Sequence, residues 1–403
     1  MAAGLLALVG CGTTPEANRI HGQRLVVYMS VPEHGASNAV ARAEVDAARL
    51  ALAQDGGRIG KYLIELKVLD DSLPAGDGWD PNQTSLNARL AAQDPRTIGY
   101  VGEFNSGASA VSIPLLNRAG IAQVSPASAA VGLTSTGPGA SPGEPDKYYP
   151  TGVRTFARVV PSDAVEAQVQ VALEQSLGCQ NTFVLQDGEV DGVGEAITFV
   201  LTAQSRGLAV LAVQAFAPHA LDYRGLARSV AATSADCVLI SALAGPSAAQ
   251  LAREVGVTLP SAKIFASSGL AQPSFIAARH GGLAPALDSR VLVLSPALGP
   301  SDYPAPTRAM LAAFTKRYGE SRPEVVFGYA AMQLMLEAIR RATDDGRKPA
   351  QRSKVVAALL ARGEHQSVLG PYTIDANGDT SIRSYGIYQV VDGRLRFWRA
   401  AQG

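Results

Sequence analysis

Ile98-Gly99-Tyr100-Val101-Gly102-Glu103-Phe104-Asn105-Ser106-Gly107-Ala108-Ser109 opens the stretch that decides the fold. Residues 97–102 read as a short strand and 109–119 as a helix, and Ile121-Ala122-Gln123-Val124-Ser125 follows as another strand. A helix of ten or more residues between two strands is the connection that parallel pairing requires. Working toward the N-terminus, the same grammar appears as a strand over 25–29, a helix over 39–54 stopping at Gly56-Gly57, a strand over 63–69 and a helix over 82–93. Working toward the C-terminus, a Gly- and Pro-rich loop over 137–150 interrupts it, and then it restarts. Helices are expected over 162–177, 195–206, 223–232 and 247–255, and strands over 181–186, 210–216, 236–241 and 263–266. Two rounds of one pattern predict two similar α/β lobes rather than one very large sheet. The tail breaks the rhythm, with helices over 308–318, 326–342 and 353–361. Antiparallel strands then fill 372–398, with turns at Asn377-Gly378 and Asp392-Gly393.

Composition agrees with this plan and excludes others. The 403 residues are 47% hydrophobic and 17% charged, ample for two or three cores at ~100–200 residues each. Thirty-five Lys and Arg balance thirty-five Asp and Glu, so no basic excess suggests nucleic acid as a partner. Cys11, Cys179 and Cys237 are too few for a disulfide scaffold and too scattered for a zinc cluster. The chain begins Met-Ala-Ala-Gly-Leu-Leu-Ala-Leu-Val-Gly-Cys, and this short apolar run ending at Cys11 resembles a bacterial lipobox. Cys11 is then the expected lipidation site, followed by a polar tether to about Gln23. No Lys or Arg precedes the apolar run, which places the expected start codon upstream.

Catalytic motifs are mostly missing. There is no Walker loop, no H-E-x-x-H and no C-x-x-C. Gly139-Ala140-Ser141-Pro142-Gly143 matches G-x-S-x-G, but it has neither a strand before it nor a helix after it. The five histidines (21, 34, 219, 280 and 365) lack ligand spacing. No enzyme activity, cofactor or metal is expected.

Specific segments carry a resemblance. These are Asp80-Pro81-Asn82-Gln83-Thr84, the 98–109 stretch, Ile113-Pro114-Leu115-Leu116-Asn117-Arg118-Ala119-Gly120-Ile121 and Val124-Ser125-Pro126-Ala127. Further on come Arg158-Val159-Val160-Pro161-Ser162-Asp163, Gly328-Tyr329, Val368-Leu369-Gly370 and Asp375-Ala376-Asn377-Gly378-Asp379. Over about 24–398 the chain resembles the branched-chain-amino-acid-binding lipoproteins of ABC importers, which are type I periplasmic binding proteins. The resemblance implies two doubly wound, Rossmann-like lobes with a ligand cleft between them and three hinge crossovers, near Thr155, Leu292–Ser295 and Val368. Residues 1–23 are then signal, lipobox and tether. Lobe one is 24–155 plus 294–367, and lobe two is 156–293 plus 368–403.

The implied function is capture of a small polar ligand, amino acid-like or another carboxylate, by hinge closure outside the cytoplasm. The implied partners are permease and ATPase subunits, with a lipid anchor at the membrane and a monomeric protein. A ligand sensor that presents its closed form to a receptor is the alternative on the same scaffold. Expected ligand-binding residues are Asn105, Ser106, Ala127, Ser128, Ala129, Asp191 and Ser268. Ser106 has two readings: its hydroxyl and nearby N–H groups hold a ligand carboxylate at a helix N-terminus, or it simply caps the following helix.

Three positions depart from the family. Ala129 stands near a usual Thr, Asp191 in place of a usual Tyr, and Ser268 in place of the usual acid that pairs with the ligand ammonium. Tight leucine, isoleucine or valine binding is therefore not expected. A Cys179–Cys237 disulfide is expected, because each cysteine precedes a lobe-two strand. In a 2-1-3 order those strands are neighbours ~4.8 Å apart.

Overall fold

The computed structural model describes residues 18–73, 78–218 and 220–403. The expected lipidation site Cys11 lies outside the described residues. The first round comprises β1 (Arg24–Val31), α1 (Asn38–Gln54), β2 (Arg58–Ile59), β3 (Tyr62–Asp70), α2 (Pro81–Gln93), β4 (Thr97–Val101), α3 (Ser106–Arg118), β5 (Ala122–Ser125) and β6 (Phe156–Arg158). The second comprises α4 (Asp163–Ser176), β7 (Asn181–Gln186), α5 (Val190–Arg206), β8 (Ala209–Ala215), α6 (Arg224–Ala231), β9 (Cys237–Ser241), α7 (Pro246–Thr258), β10 (Lys263–Ala266), α8 (Pro273–Ile276) and β11 (Val291–Ser295). The chain then returns through α9 (Ala305–Tyr318), α10 (Val325–Thr343), α11 (Arg352–Leu359), β12 (Glu364–Ser367) and β13 (Gly370–Thr373). It ends with β14 (Ser384–Val391) and β15 (Arg394–Gln402).

Sheet one runs β2-β3-β1-β4-β5-β6 and sheet two runs β15-β14-β11-β10-β9-β7-β8. Pairing is parallel from β3 to β6 and from β8 to β11, while β2, β14 and β15 add antiparallel edges. Strands buried on both faces explain the unbroken apolar runs. In β1, Leu25, Val27 and Met29 join a core with α1 and α10, whereas Val26 and Tyr28 turn toward α2 and α3. Sheet two divides in the same way. Phe183, Leu185, Val238 and Ile240 face α6 and α7, and Val184, Leu239 and Phe265 face α4 and α5. Sulfur bridges Cys179 and Cys237, with Cα atoms 5.8 Å apart, where β7 and β9 begin side by side.

The crossovers lie a few residues beyond their expected places. Phe156–Arg158 pairs with β5, so lobe one keeps its sheet to Arg158 rather than ending near Thr155. All of Val291–Ser295 pairs in sheet two, which moves Leu294 and Ser295 out of lobe one. Val368, Tyr372 and Ile374 bury in the lobe-one core, so the last crossover falls between β13 and β14 rather than near Val368. The Asp392-Gly393 turn joins β14 to β15, with both residues at positive φ as a tight hairpin requires. The Asn377-Gly378 turn instead docks on lobe one, where the Gly378 carbonyl accepts from Arg158 N at 3.0 Å. Among the described residues no helix is long and apolar enough to cross a membrane.

Candidate functional site

Open parallel sheets expose a crevice beyond the carboxyl ends of their strands. Here both sheets turn those ends toward one cleft of ≈ 80 Å³. Phe104 and Asn105 reach it just past β4, Pro126, Ala127 and Ala129 past β5, and Leu243 past β9. Ser268 and Gly269 follow β10, and Pro296 follows β11. Of the expected binding residues, the fold brings Asn105, Ala127, Ala129, Asp191 and Ser268 to the cleft.

Ser106 and Ser128 are not in its lining. The Ser106 N–H, expected to hold a ligand carboxylate, donates to Asp191 Oδ2 at 3.2 Å, and its Oγ accepts from Ala130 N at 3.2 Å. Ser128 is fully buried, with its Oγ 2.8 Å from Ser109 Oγ and donating to Glu103 O at 3.1 Å. Both hydroxyls brace the loops after β4 and β5. The Asp191 contact spans the two lobes, since Ser106 opens α3 and Asp191 lies in the first turn of α5.

The cleft is acidic on both walls. Glu44 and Glu324 enter from lobe one, and Asp163, Asp191 and Glu195 enter from lobe two. Gly328, one turn beyond Glu324, lets α10 press against α1, since a Cβ there would lie 2.6 Å from Glu44 Cα. On the other wall Asp191 and Glu195 are one turn apart on α5 and share a face. Gly192 between them has Ser241 O 2.7 Å from where a Cβ would be, which holds α5 close to the end of β9.

Burial pushes Asp191 up to about 6 against the Ser106 N–H bond that lowers it, and pushes Glu324 up to about 7. Glu44 is held well above the carboxylate range by burial and then by Glu324. Burial raises Asp163 strongly, with Asp191 and Glu166 adding to it, and raises Glu195 strongly, with Glu166 and Asp163 adding to it. Ser268 carries no charge, yet a carboxylate stands directly behind it. Glu166 accepts from Ser268 N at 2.7 Å and from Ser268 Oγ at 2.6 Å.

Among the described residues no Lys or Arg lines the cleft. Arg158, fully buried beneath the loop after β5, is fully engaged elsewhere. Its Nε donates to Asp379 Oδ1 at 2.7 Å, Nη1 to the carbonyls of Ala130 and Ser128, and Nη2 to Thr134 Oγ1. The Arg158–Asp379 ion pair at 2.6 Å closes this network.

Sequence reasoning missed Glu44, Asp163, Glu195 and Glu324 as lining residues. One signal was available: Glu44 shares a helical face with Val40, Ala41, Val45 and Ala48, all buried. A carboxylate on an apolar stripe is the informative exception.

The structural likenesses agree with the two-lobe reading. A leucine-binding protein from Thermotoga maritima superposes with a TM-score of 0.79 at 19% identity, covering 94% of this chain and 99% of its own. A branched-chain amino acid transporter substrate-binding protein from Streptococcus pneumoniae, in complex with isoleucine, gives 0.76 at 16% identity, covering 94% and 100%. An ABC-transporter solute-binding protein from R. palustris, in complex with benzoate, gives 0.75 at 16% identity, covering 94% and 96%. No curated protein sequence matches the chain. The family model for periplasmic binding proteins spans residues 27–394, nearly the whole body, and the chain belongs to that family.

Proposed function

We propose that this protein is the extracytoplasmic solute-binding component of an ABC importer. It is tethered to the membrane through Cys11, closes its two lobes on a small polar ligand and delivers it to a permease driven by ATPase subunits. The observation that carries this reading is the cleft between the carboxyl ends of two parallel sheets, bridged by the Asp191–Ser106 bond. Solved proteins of this fold that hold isoleucine or benzoate support a scaffold that changes its ligand while keeping its role. The expectation of a ligand held by its carboxylate narrows, because the Ser106 N–H is taken and Arg158 is engaged elsewhere. A donor-bearing ligand suits the acidic walls better.

Trp79 provides the test. It belongs to lobe one, packs where a Cβ on Gly107 would be and approaches Glu189 of lobe two. Trp398 is the only other tryptophan, so Trp398→Phe leaves one reporter, on lobe one and near Glu189 of lobe two. A solute that closes the lobes changes Trp79 emission saturably, and deleting the gene abolishes uptake of that same solute. Uptake unchanged in the deletion strain overturns the importer reading.

A further inference from the structure

Among the described residues four buried oxygens of cleft-lining side chains have no hydrogen-bond partner: Glu44 Oε2 and Glu324 Oε1 on lobe one, Asp163 Oδ2 and Gln272 Oε1 on lobe two. Glu44, Asp163 and Gln272 are 1%, 4% and 5% exposed, so solvent does not readily supply the missing donors. Buried acceptors without donors are rare in folded proteins and call for an explanation. Here they are divided two and two across a cleft that closes. We propose that the cleft takes a small organic dication with an apolar spacer, one cationic end on Glu44 and Glu324 and the other on Asp163 and Glu195. The inference rests on the solute-binding reading and specifies its ligand.

The competing ligand classes fit less well. An anion meets five carboxyl groups and no lining cation. A metal ion needs several oxygens converging at roughly 2.0–2.6 Å. No three carboxylates in the cleft offer oxygens within 4.8 Å of one another; among the described residues the single such group, Cys179, Asp236 and Cys237, has its sulfurs joined to each other. A monocation satisfies one wall only and leaves the acids of the other without a partner when the lobes meet.

The lining also includes the apolar side chains Val40, Phe104, Val160 and Phe327. Methylenes suit these, and ammonium or guanidinium groups suit the acids. A water needs roughly 10–15 Å³ of such volume, so ≈ 80 Å³ takes about five to eight water-sized groups. That is the size of a diamine with a short carbon spacer.

The charge pattern also supplies a reason for closure to depend on ligand. Burial favours the neutral form of Glu44, Asp163 and Glu195 in the free cleft, and a cationic group beside each pair draws it into its charged form. Each wall therefore gains ionic attraction only when ligand is present.

Isothermal titration of the purified protein at pH 8 tests the inference with 1,4-diaminobutane and 1,5-diaminopentane, set against 1-aminobutane, butyrate, leucine, benzoate and magnesium chloride. The expected result is saturable diamine binding at least 100-fold tighter than 1-aminobutane, weakened tenfold or more by Glu44→Gln and by Asp163→Asn separately. Glutamine has the shape of the protonated Glu44 side chain, so the fold is kept. Should E44Q fail to fold, Glu324→Gln tests the same wall. Equal affinity for monoamine and diamine overturns the dication, as does tighter binding of magnesium. Leucine or benzoate binding that survives E44Q and D163N, with a Trp79 response, overturns the dication while keeping the solute-binding reading. Diamine binding with no loss in either wall's variants shows a site elsewhere and also overturns it. No response of titration or Trp79 to any member of the panel counts against both readings.

Discussion

The two walls of the cleft hold their acids by different means. On lobe two, Asp163 and Asp191 stand in the first turns of α4 and α5, where unpaired N–H groups and the helix dipole favour negative charge. Asp191 also accepts a backbone N–H from Ser106, and burial lifts it only to about 6. On lobe one, Glu44 lies in the second turn of α1 with one oxygen unpartnered, and burial drives it well above the carboxylate range. The comparison teaches that similar burial gives different protonation, depending on whether a donor reaches the carboxyl: Asp163 shares the first-turn position of Asp191 but keeps an unpartnered oxygen and is raised strongly, as Glu44 is. Asp191 is poised to be charged before ligand arrives, whereas Glu44, Asp163 and Glu195 take their charge with the ligand. The lobes also differ in staples, since the disulfide belongs to lobe two alone.

The disulfide gives the largest expected effect. It closes a loop of 58 residues between two strand starts, worth about 4 kcal/mol in the chain-entropy account. Cys179→Ala with Cys237→Ala should lower lobe-two stability by about that amount. Trp398 lies in β15 of sheet two and Trp79 in lobe one, so denaturant unfolding of single-tryptophan variants reads each lobe separately. Earlier loss of the Trp398 transition alone is the expected outcome. Coincident loss at both probes breaks the comparison and makes the two lobes one cooperative unit.

Next in size is the pH dependence of the lobe-two wall. An unfolded aspartate titrates near 3.9, and Asp191 in the fold near 6. Between those values the native state holds a proton that the unfolded chain has released, so stability falls as pH rises. Above about pH 6 the loss is complete, on the order of 3 kcal/mol for this one group. Glu324 and Glu103, each raised to about 7, carry the decline further toward neutrality. The ligand-free protein should therefore melt higher at pH 5 than at pH 7.5. Asp191→Asn should remove one group's share of the decline below pH 6, on the order of 3 kcal/mol, and leave the shares of the other raised carboxyls. A melting temperature that does not change over this range contradicts buried, unpaired acids in the free cleft.

Much of the fold was legible because the central strands of each sheet are apolar on both faces and most helices repeat their apolar residues at 3.6. What the periodicity could not show is where a helix begins against its propensity. The expected start of α5 was residue 195, since Gly192-Val193-Gly194 weakens a helix by roughly 1 kcal/mol per glycine. The helix starts at Val190, because Gly192 permits a close approach to Ser241 that a larger residue would block. Asp191 thus belongs to a first helical turn rather than a loop. Short β6 was missed too, having three residues and a partner 33 positions earlier. The acidic wall was hidden for another reason. Glu44, Asp163, Glu195 and Glu324 span 280 positions, and apart from the apolar stripe around Glu44 nothing in the sequence groups them until the lobes are folded together.

Gly328 offers the smallest effect and the sharpest separation of the walls. A Cβ there would meet the backbone of Glu44, so Gly328→Ala must push α10 away from α1. Overpacking of that kind costs about 1–3 kcal/mol, and the better helix propensity of alanine returns about 1. The net loss of stability should be about 1 kcal/mol, small enough for the protein to remain folded. Glu44 and Glu324 nevertheless separate, because the two helices that carry them are the ones displaced. Diamine affinity should fall severalfold, while the share of the pH 4–6 stability slope that Asp191→Asn removes on the opposite wall should be the same with and without Gly328→Ala. If that share changes as well, the walls are coupled through the hinge. If neither changes, the α1–α10 contact does not position the lobe-one acids.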